Sequence, residues 1–284
     1  MLTLALQKSG RLSDRSLALL TESGIHLENG SSNRLKATAG NFPLQILYLR
    51  DDDIPECVAD GVADVGIVGL NVVEEKERSV RVVEKLGFAR CRLSIAVPRQ
   101  FHYTGLASLN GLSIATAYPR ILRKFLDNQH LQATIHEISG SVEVAPGIGM
   151  ADAIFDIVST GSTLMSNGLV EVETVMHSEA VLVATPDLNG DKAAVLESLL
   201  FRFRAVMKAR RYRYILLNAP NEALEEISRI LPGMKSPTIM PLAMPGWSSV
   251  HSVIQEEDFW EIIENLKAAG AQGILVVPIE KMIV

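Results

Sequence analysis

The stretch Glu143-Val-Ala-Pro-Gly-Ile-Gly-Met-Ala-Asp152-Ala-Ile-Phe-Asp156-Ile-Val-Ser159-Thr-Gly161-Ser-Thr163-Leu-Met-Ser-Asn-Gly-Leu169 sets the reading of everything around it. Its pattern predicts a short helix, a buried strand over Phe155 to Val158, a turn of small hydroxyl residues and glycine, and a second helix from near Thr163. Ser159, Thr160, Gly161, Ser162 and Thr163 fall where a strand hands over to a helix. The first N–H groups of a helix have no internal partner and its dipole favours negative charge, so a phosphate monoester suits this junction. Gly161 lets the backbone approach an anion closely, and the four hydroxyls can donate to it. Asp152, at the end of the first helix, and Asp156, inside the apolar strand, are expected beside the same cradle. A buried carboxylate needs a partner, and the ring hydroxyls of a sugar phosphate would supply one. The plainer reading of these residues is a turn with a helix N-cap.

The chain has 284 residues, enough for two or three domains with large cores. Its 48% hydrophobic and 21% charged content describes a packed globular protein, with a mostly aliphatic core because aromatics make up only 5%. A formal net charge of −6 argues against broad binding of nucleic acid or anionic membrane, so an anionic ligand needs local positive charge. Cys57 and Cys91 lack metal-ligand spacing, and two ordinary thiols in a reducing compartment are expected. The chain starts directly on a strand without a leader, and no apolar run reaches membrane-spanning length, so a cytoplasmic protein with neither nucleic-acid nor membrane partners is expected.

Taken in order, Leu2 to Leu6 reads as a strand, followed by a turn carrying Lys8 and Arg11 and an amphipathic helix with Leu12, Leu17, Ala18 and Leu20 inward. The two cations are candidates for polyphosphate contacts. Leu44 to Leu49 is the next strand, closed by Arg50-Asp51-Asp52-Asp53-Ile54-Pro55, where acids and proline fit the capping of a helix better than a metal site. Ala63 to Asn71 is a buried strand emptying into a glycine turn. It parallels the opening stretch, Ala63-Asp64-Val65 matching Ala151-Asp152-Ala153, which suggests two lobes of one design across a cleft. Arg90 to Pro98 reads as a strand crossing between lobes, and Leu112 to Thr116 leads into Tyr118-Pro119-Arg120 at the start of a helix. From Tyr212 the order β-α-β-β-α-β is ferredoxin-like and suits regulation or assembly. The expected fold class is thus α/β, with lobe I from 1–90 and 180–211, lobe II from 91–179, and a regulatory ferredoxin-like domain over 212–284.

Taken together, Gln7 to Leu12, Arg50 to Pro55, Asp64 to Gly69, Cys91 to Ser94, Ile114 to Pro119 and the opening stretch resemble ATP phosphoribosyltransferase of the long form. Leu231 to Thr238 and Leu266 to Ala271 resemble that family's histidine-binding regulatory domain. The resemblance implies two periplasmic-binding-protein-like lobes. It implies transfer of the phosphoribosyl group of phosphoribosyl pyrophosphate to N1 of ATP, giving N1-(5-phosphoribosyl)-ATP and pyrophosphate, with Mg²⁺ carried by the substrate phosphates and no protein ligands assigned to it. It also implies feedback inhibition by histidine and a dimer-to-hexamer assembly. On matching motifs, Asp152, Asp156 and Lys8 would be catalytic, and Glu143 with Ser159, Thr160, Gly161, Ser162 and Thr163 would hold phosphoribosyl pyrophosphate. Arg11, Gly69, Asn71, Thr116, Tyr118 and Arg120 would serve ATP, and Asn71 stands where many relatives carry an acid. Asn218, Met234, Ser236, Thr238 and Gly273 would line the histidine pocket. The rival readings are a two-lobed module that binds or senses a small anion without chemistry, and another phosphoribosyl- or nucleotide-processing enzyme.

Overall fold

The computed structural model describes residues 1–28 and 35–283. Apolar runs of five or six residues form the middle of a first sheet. Strand β1 (Leu2–Gln7) pairs in parallel with β3 (Leu44–Leu49) and with β4 (Val65–Gly69). Leu4, Ile46 and Ile67 are wholly buried, as expected of parallel strands covered on both faces. At one edge β2 (Lys36–Thr38) runs antiparallel to β3; at the other, β11 (Ala180–Ala184) lies antiparallel between β4 and β5 (Arg81–Lys85). The order is β2-β3-β1-β4-β11-β5. Helices α1 (Arg11–Glu22), α2 (Ile54–Ala59) and α3 (Leu70–Lys76) follow β1, β3 and β4.

The second sheet is built from β6 (Cys91–Pro98), β7 (Ser113–Thr116), β8 (Thr134–Glu137), β9 (Ala153–Val158) and β10 (Leu169–Ser178), in the order β10-β6-β9-β7-β8. Strands β7, β8 and β9 are parallel, whereas β6 is antiparallel to β9 and to β10. Leu93, Ile95, Ile114 and Phe155 of this sheet pack with Leu122 and Leu126 of α4 (Pro119–Asn128). The short α5 (Ser162–Ser166) follows β9. The chain passes between the two sheets through residues 86–90 and again at Glu179. The strand expected to cross between lobes is therefore wholly a member of the second sheet, with the crossing just ahead of it. Two α/β sheets, one per expected lobe, are the arrangement expected from the sequence.

Beyond α6 (Gly190–Ala209) come β12 (Tyr212–Pro220), α7 (Leu224–Ile230), β13 (Thr238–Pro241), β14 (Trp247–Gln255), α8 (Phe259–Ala268) and β15 (Gln272–Pro278). Their antiparallel order, β13-β14-β12-β15, is ferredoxin-like. One face of this sheet buries Ile215, Leu217, Val250 and Ile254 against Ile227 and Leu266 of the helices. The chain forms two compact units, Met1–Ala18 with Ile25–Leu196, and Leu19–Gly24 with Glu197–Val284. Both α/β sheets thus share one unit, while α6 from Glu197 onward joins the C-terminal one.

Two local features differ from expectation. In α1 the inward face is Ser13, Ser16, Leu19 and Leu20, with Ala18 exposed. Two serines hide there because a hydroxyl can be satisfied locally, as Ser16 Oγ is by donating to the Leu12 carbonyl at 2.7 Å. The helix expected before β9 is a single 3₁₀ turn, Val142–Val144, followed by turns through Pro146, Gly147 and Gly149, residues that a helix does not tolerate well.

Candidate functional site

In each sheet the parallel strands deliver polar turns at their carboxyl ends, where open α/β sheets bind ligands. In the first, Gln7 pairs with Leu49, and the Lys8 N–H donates to the Leu49 carbonyl at 2.9 Å. Lys8 to Arg11, Arg50 to Asp53, and Gly69 to Asn71 therefore share one edge. In the second, Phe155 pairs with Thr116, which sets Asp156 beside the Tyr118 turn and just ahead of Ser159.

The turn after β9 is open to solvent. Ser159, Thr160, Ser162 and Thr163 are exposed, and Gly161, at φ 80°, occupies the left-handed region that a side chain rarely adopts. Thr160 and Ser162 hydroxyls lie 3.1 Å apart. The Ser159 carbonyl accepts from Arg92 Nη1 at 3.3 Å. Arg92 in turn makes a two-pronged ion pair with Glu171, which also accepts from Ser94 Oγ at 2.7 Å. The Arg92 hydrogen bond is the main reason the Glu171 carboxyl is held down to about 2. Arg92 and Glu171 thus brace the turn from the neighbouring strands, a role that 79 residues of sequence separation hid.

Asp156 is half-buried, and one of its oxygens accepts from the Ile157 N–H at 2.7 Å. Burial raises its carboxyl above the usual range despite that bond, and the nearby Glu143 carboxylate pushes the same way. Two of the predicted acids, Asp156 and Glu143, are therefore near enough for the charge of one to be felt by the other.

Asp152 is not with them. It stands at the amino end of β9, seven positions before Ser159, a separation on the order of 20 Å in extended chain. Its Oδ2 accepts from the Ser113 N–H at 2.8 Å and from Ser113 Oγ at 2.7 Å, and the Asp152 N–H returns a bond to the Ser113 carbonyl at 2.9 Å. Those donors hold its carboxyl below the ordinary range, the Ser113 hydroxyl most of all. In the first sheet Asp64 does the same: its Oδ2 accepts from the Thr3 N–H at 2.8 Å, and its N–H donates to the Thr3 carbonyl at 3.0 Å. Asp152 is thus a staple between two parallel strands, and its expected place in the catalytic set is corrected.

The ATP-side candidates separate into two groups. Asn71 is buried; its Oδ1 accepts from Ser178 Oγ at 2.8 Å, its N–H donates to that hydroxyl oxygen at 3.0 Å, and its side chain acts on the nearby Tyr118 hydroxyl. A Cβ on Gly69 would stand 2.5 Å from Asn71 Oδ1, so any larger residue must displace Asn71. Burial, followed by the fields of Asp156, Asp51 and Asp52, raises the Tyr118 hydroxyl far above its ordinary range. Gly69, Asn71 and Tyr118 therefore meet. Thr116 is wholly buried with its hydroxyl accepting from the Tyr118 N–H at 2.8 Å, so it shapes this turn from beneath. Arg120 departs from expectation: its Nη1 donates to the Glu75 and Lys76 carbonyls at 3.4 and 3.0 Å, capping the end of α3 instead of facing a phosphate. The Glu75 carboxylate reciprocates, accepting from the Arg120 and Ile121 N–H groups at 3.0 Å each, at the start of α4. Glu75 and Ser178 escaped the sequence reading because their partners are distant in the chain.

Lys8 and Arg11 are exposed and make no ion pair among the described residues. The acids and proline do open a helix as expected, with Asp51 to Asp53 in a 3₁₀ turn, Asp53 at the N-cap of α2 and Pro55 at its start, although neither Arg50 nor Asp53 makes a side-chain cap hydrogen bond. Asp52 pairs with Lys76 at 3.5 Å, and Asp51 Oδ1 is buried without a partner. Among the described residues no group of three or more His, Cys, Asp or Glu is placed to hold a metal ion.

In the C-terminal sheet Asn218, Thr238 and Gly273 lie toward one side: Asn218 pairs with Ser249 and Gln272, Thr238 pairs with His251, and a Cβ on Gly273 would stand 3.3 Å from Asn218 Nδ2. Met234 instead lines a cavity of about 270 Å³ with Lys208, Tyr212 and Asp258, and the Ser236 carbonyl lies against Gly233. Asn218, Ser236, Thr238 and Gly273 do not line that cavity. No helix among the described residues is long and apolar enough to cross a membrane.

Against known proteins, the ATP phosphoribosyltransferase family profile matches residues 50–205, and the profile named HisG, C-terminal domain, matches 209–281. The chain is 58% identical to the ATP phosphoribosyltransferase of Cytophaga hutchinsonii over 99% of its own length and 98% of that protein's. It is 57% identical to the enzyme of Bacteroides thetaiotaomicron over the full length of both. Among solved structures, a chain of the ATP phosphoribosyltransferase (HisG:HisZ) complex from Thermotoga maritima superposes with a TM-score of 0.61 at 27% identity, covering 72% of this chain and 99% of that one.

Proposed function

This chain belongs to the ATP phosphoribosyltransferase family, the enzymes of the first step of histidine biosynthesis, and from that premise we propose how its own residues divide the work. The reaction moves the phosphoribosyl group of phosphoribosyl pyrophosphate onto N1 of ATP and releases pyrophosphate. A sensing module without chemistry is set aside by the same relatives. In our reading the turn Ser159 to Thr163 receives the 5′-phosphate, with Gly161 allowing close backbone approach. Asp156 and Glu143 face the ribose, where positive charge builds as pyrophosphate departs, and fixed carboxylates stabilise such charge. Gly69, Asn71 and Tyr118 line the ATP side, with Thr116 supporting them, and Lys8 and Arg11 serve the polyphosphates. Holding N1 in line with C1′ supplies the remainder through orientation.

Mg²⁺ travels in this reading with the substrate phosphates. Histidine as feedback inhibitor acting through the C-terminal sheet, a dimer-to-hexamer equilibrium and a cytoplasmic location complete the proposal. The supporting observation is the open hydroxyl turn with left-handed Gly161 at the carboxyl end of β9, directly after Asp156. Replacing Gly161 by Val tests it: a side chain at that φ is strained, so KM for phosphoribosyl pyrophosphate should rise by at least about tenfold while the KM for ATP holds. Equal KM values for the first substrate in the two proteins would refute the phosphate assignment. Titrating histidine into the working enzyme tests regulation, and turnover indifferent to histidine would end that part.

A further inference from the structure

When N1 of adenine attacks C1′ of the sugar, the C1′–O bond to pyrophosphate breaks and its electron pair leaves with the pyrophosphate. The adenine then carries a positive charge, which is discharged when the 6-amino group gives up a proton and becomes an imine. A side chain on the ATP side that accepts this proton lowers the barrier by general-base catalysis. This inference rests on the reading above that Gly69, Asn71 and Tyr118 line that side.

Most polar groups there are spoken for. Asn71 is a neutral amide held by Ser178 through two hydrogen bonds. Tyr118 stays protonated, so it donates. Both Glu75 oxygens accept from the N–H groups of α4, Asp52 pairs with Lys76, and Asp53 is exposed at the start of α2. Asp51 differs from all of these. It follows β3 on the edge shared with the Lys8 turn and Gly69; its Oδ1 is buried with no hydrogen-bond partner, and its charge is felt at the Tyr118 hydroxyl. The charged and titratable groups facing it are Asp52 on its own turn and Tyr118 from the start of α4, while Lys8 and Arg50 nearby make no ion pair with it. Burial, helped by the charge of Asp52, raises its carboxyl to about 6, suited to taking a proton near neutral pH.

We propose that Asp51 accepts the proton released by the 6-amino group of ATP as N1 bonds to C1′. The carboxylate becomes a carboxylic acid, the adenine becomes the neutral imine, and solvent recovers the proton after product leaves.

The test is single-turnover phosphoribosyl transfer between pH 5 and 9 with the full chain, ATP, phosphoribosyl pyrophosphate and Mg²⁺, comparing wild type with Asp51→Asn and Asp51→Glu. Wild type should lose rate below pH 6. Asp51→Asn should be slower by about 100-fold at pH 8 and show no such limb, while its equilibrium affinity for ATP changes by less than about threefold. Asp51→Glu should recover part of the rate and the limb. Removing an unpaired buried charge should also leave Asp51→Asn at least as heat-stable as wild type at pH 8, so lost rate is not lost fold. Gly69→Ala, which must displace Asn71, checks the underlying reading through ATP affinity. Unchanged affinity there would overturn the ATP-side reading and this inference with it. Weakened affinity there, together with an unaltered rate or limb in Asp51→Asn, would overturn the assignment of Asp51 alone.

Discussion

The two α/β sheets begin alike and end differently. At the amino ends, Asp64 bridges β4 to Thr3 in β1, and Asp152 bridges β9 to Ser113 at the start of β7, with the same pair of bonds in each. The registers agree: Leu4 pairs with Val65, and Ile114 with Ala153, each one position past the bridge. At the carboxyl ends the likeness stops. Strand β4 runs through Gly69 straight into α3 with Asn71 buried, whereas β9 opens into an exposed turn of hydroxyls around left-handed Gly161. One end of the shared plan holds strands together, and the other is free to differ because no strand pairing depends on it. Binding chemistry is therefore expected at the carboxyl ends alone.

The largest effect should come from breaking a carboxyl-end acid. Asp156→Asn keeps the shape of the side chain and removes its charge, so turnover should fall by about 100-fold, with affinity for phosphoribosyl pyrophosphate within about threefold of wild type. Steady-state rates alongside equilibrium binding separate the two quantities. Turnover that survives the substitution would place the charge-stabilising group elsewhere. The pH response offers a further check: burial raises the Asp156 carboxyl, so its charge, and the rate that depends on it, should fade at a higher pH than an ordinary aspartate would set.

Much of this division was legible in the residues. Leu2 to Leu6, Leu44 to Leu49 and Ala180 to Ala184 are apolar runs too short for helices, and they are strands within a residue or so of the expected limits. The exposed Ser159 to Thr163 turn followed from small hydroxyl residues after such a run. Asp152 was misread because composition does not say which end of a strand a polar residue serves. The correcting signal was nonetheless present in the match of Ala63-Asp64-Val65 to Ala151-Asp152-Ala153, since a residue shared by a ligand-binding lobe and its counterpart points to construction. Other links had no local trace. Glu75 caps α4 from 45 residues away, and Ser178 reaches Asn71 across 107. Arg120 looked like a phosphate ligand because arginine at a helix start so often is one, yet the carbonyls ending α3 hold it.

The first staple should matter more to stability than to turnover. Asp64 is buried, and besides the Thr3 N–H it holds Lys192 Nζ at 2.7 Å. Asp64→Ala strands a backbone donor between β1 and β4 and leaves that lysine unpaired, so unfolding free energy should drop by about 2 to 3 kcal/mol. Urea denaturation with an unchanged m-value would report it cleanly. A drop of the size of a surface substitution, within about 0.5 kcal/mol, would mean that water replaces the carboxylate at no cost.

Asp152 gives the smallest effect and the sharpest contrast with Asp156. It is exposed, water competes for Ser113, and the loss in Asp152→Ala should be about 1 kcal/mol. Turnover measured well below the unfolding temperature should stay within about twofold of wild type, since a structural bridge at the far end of β9 touches no reacting atom. The pH dependence has a definite sign. Ser113 lowers the folded-state pKa of Asp152, so its stabilisation is present above the unfolded carboxylate pKa and is lost as pH falls through the folded one. Wild type and Asp152→Ala should therefore differ in stability at pH 7 and converge below about pH 4. A gap that stayed constant into acid would trace the effect to packing, and a collapse of turnover at full stability would return Asp152 to the catalytic set beside Asp156.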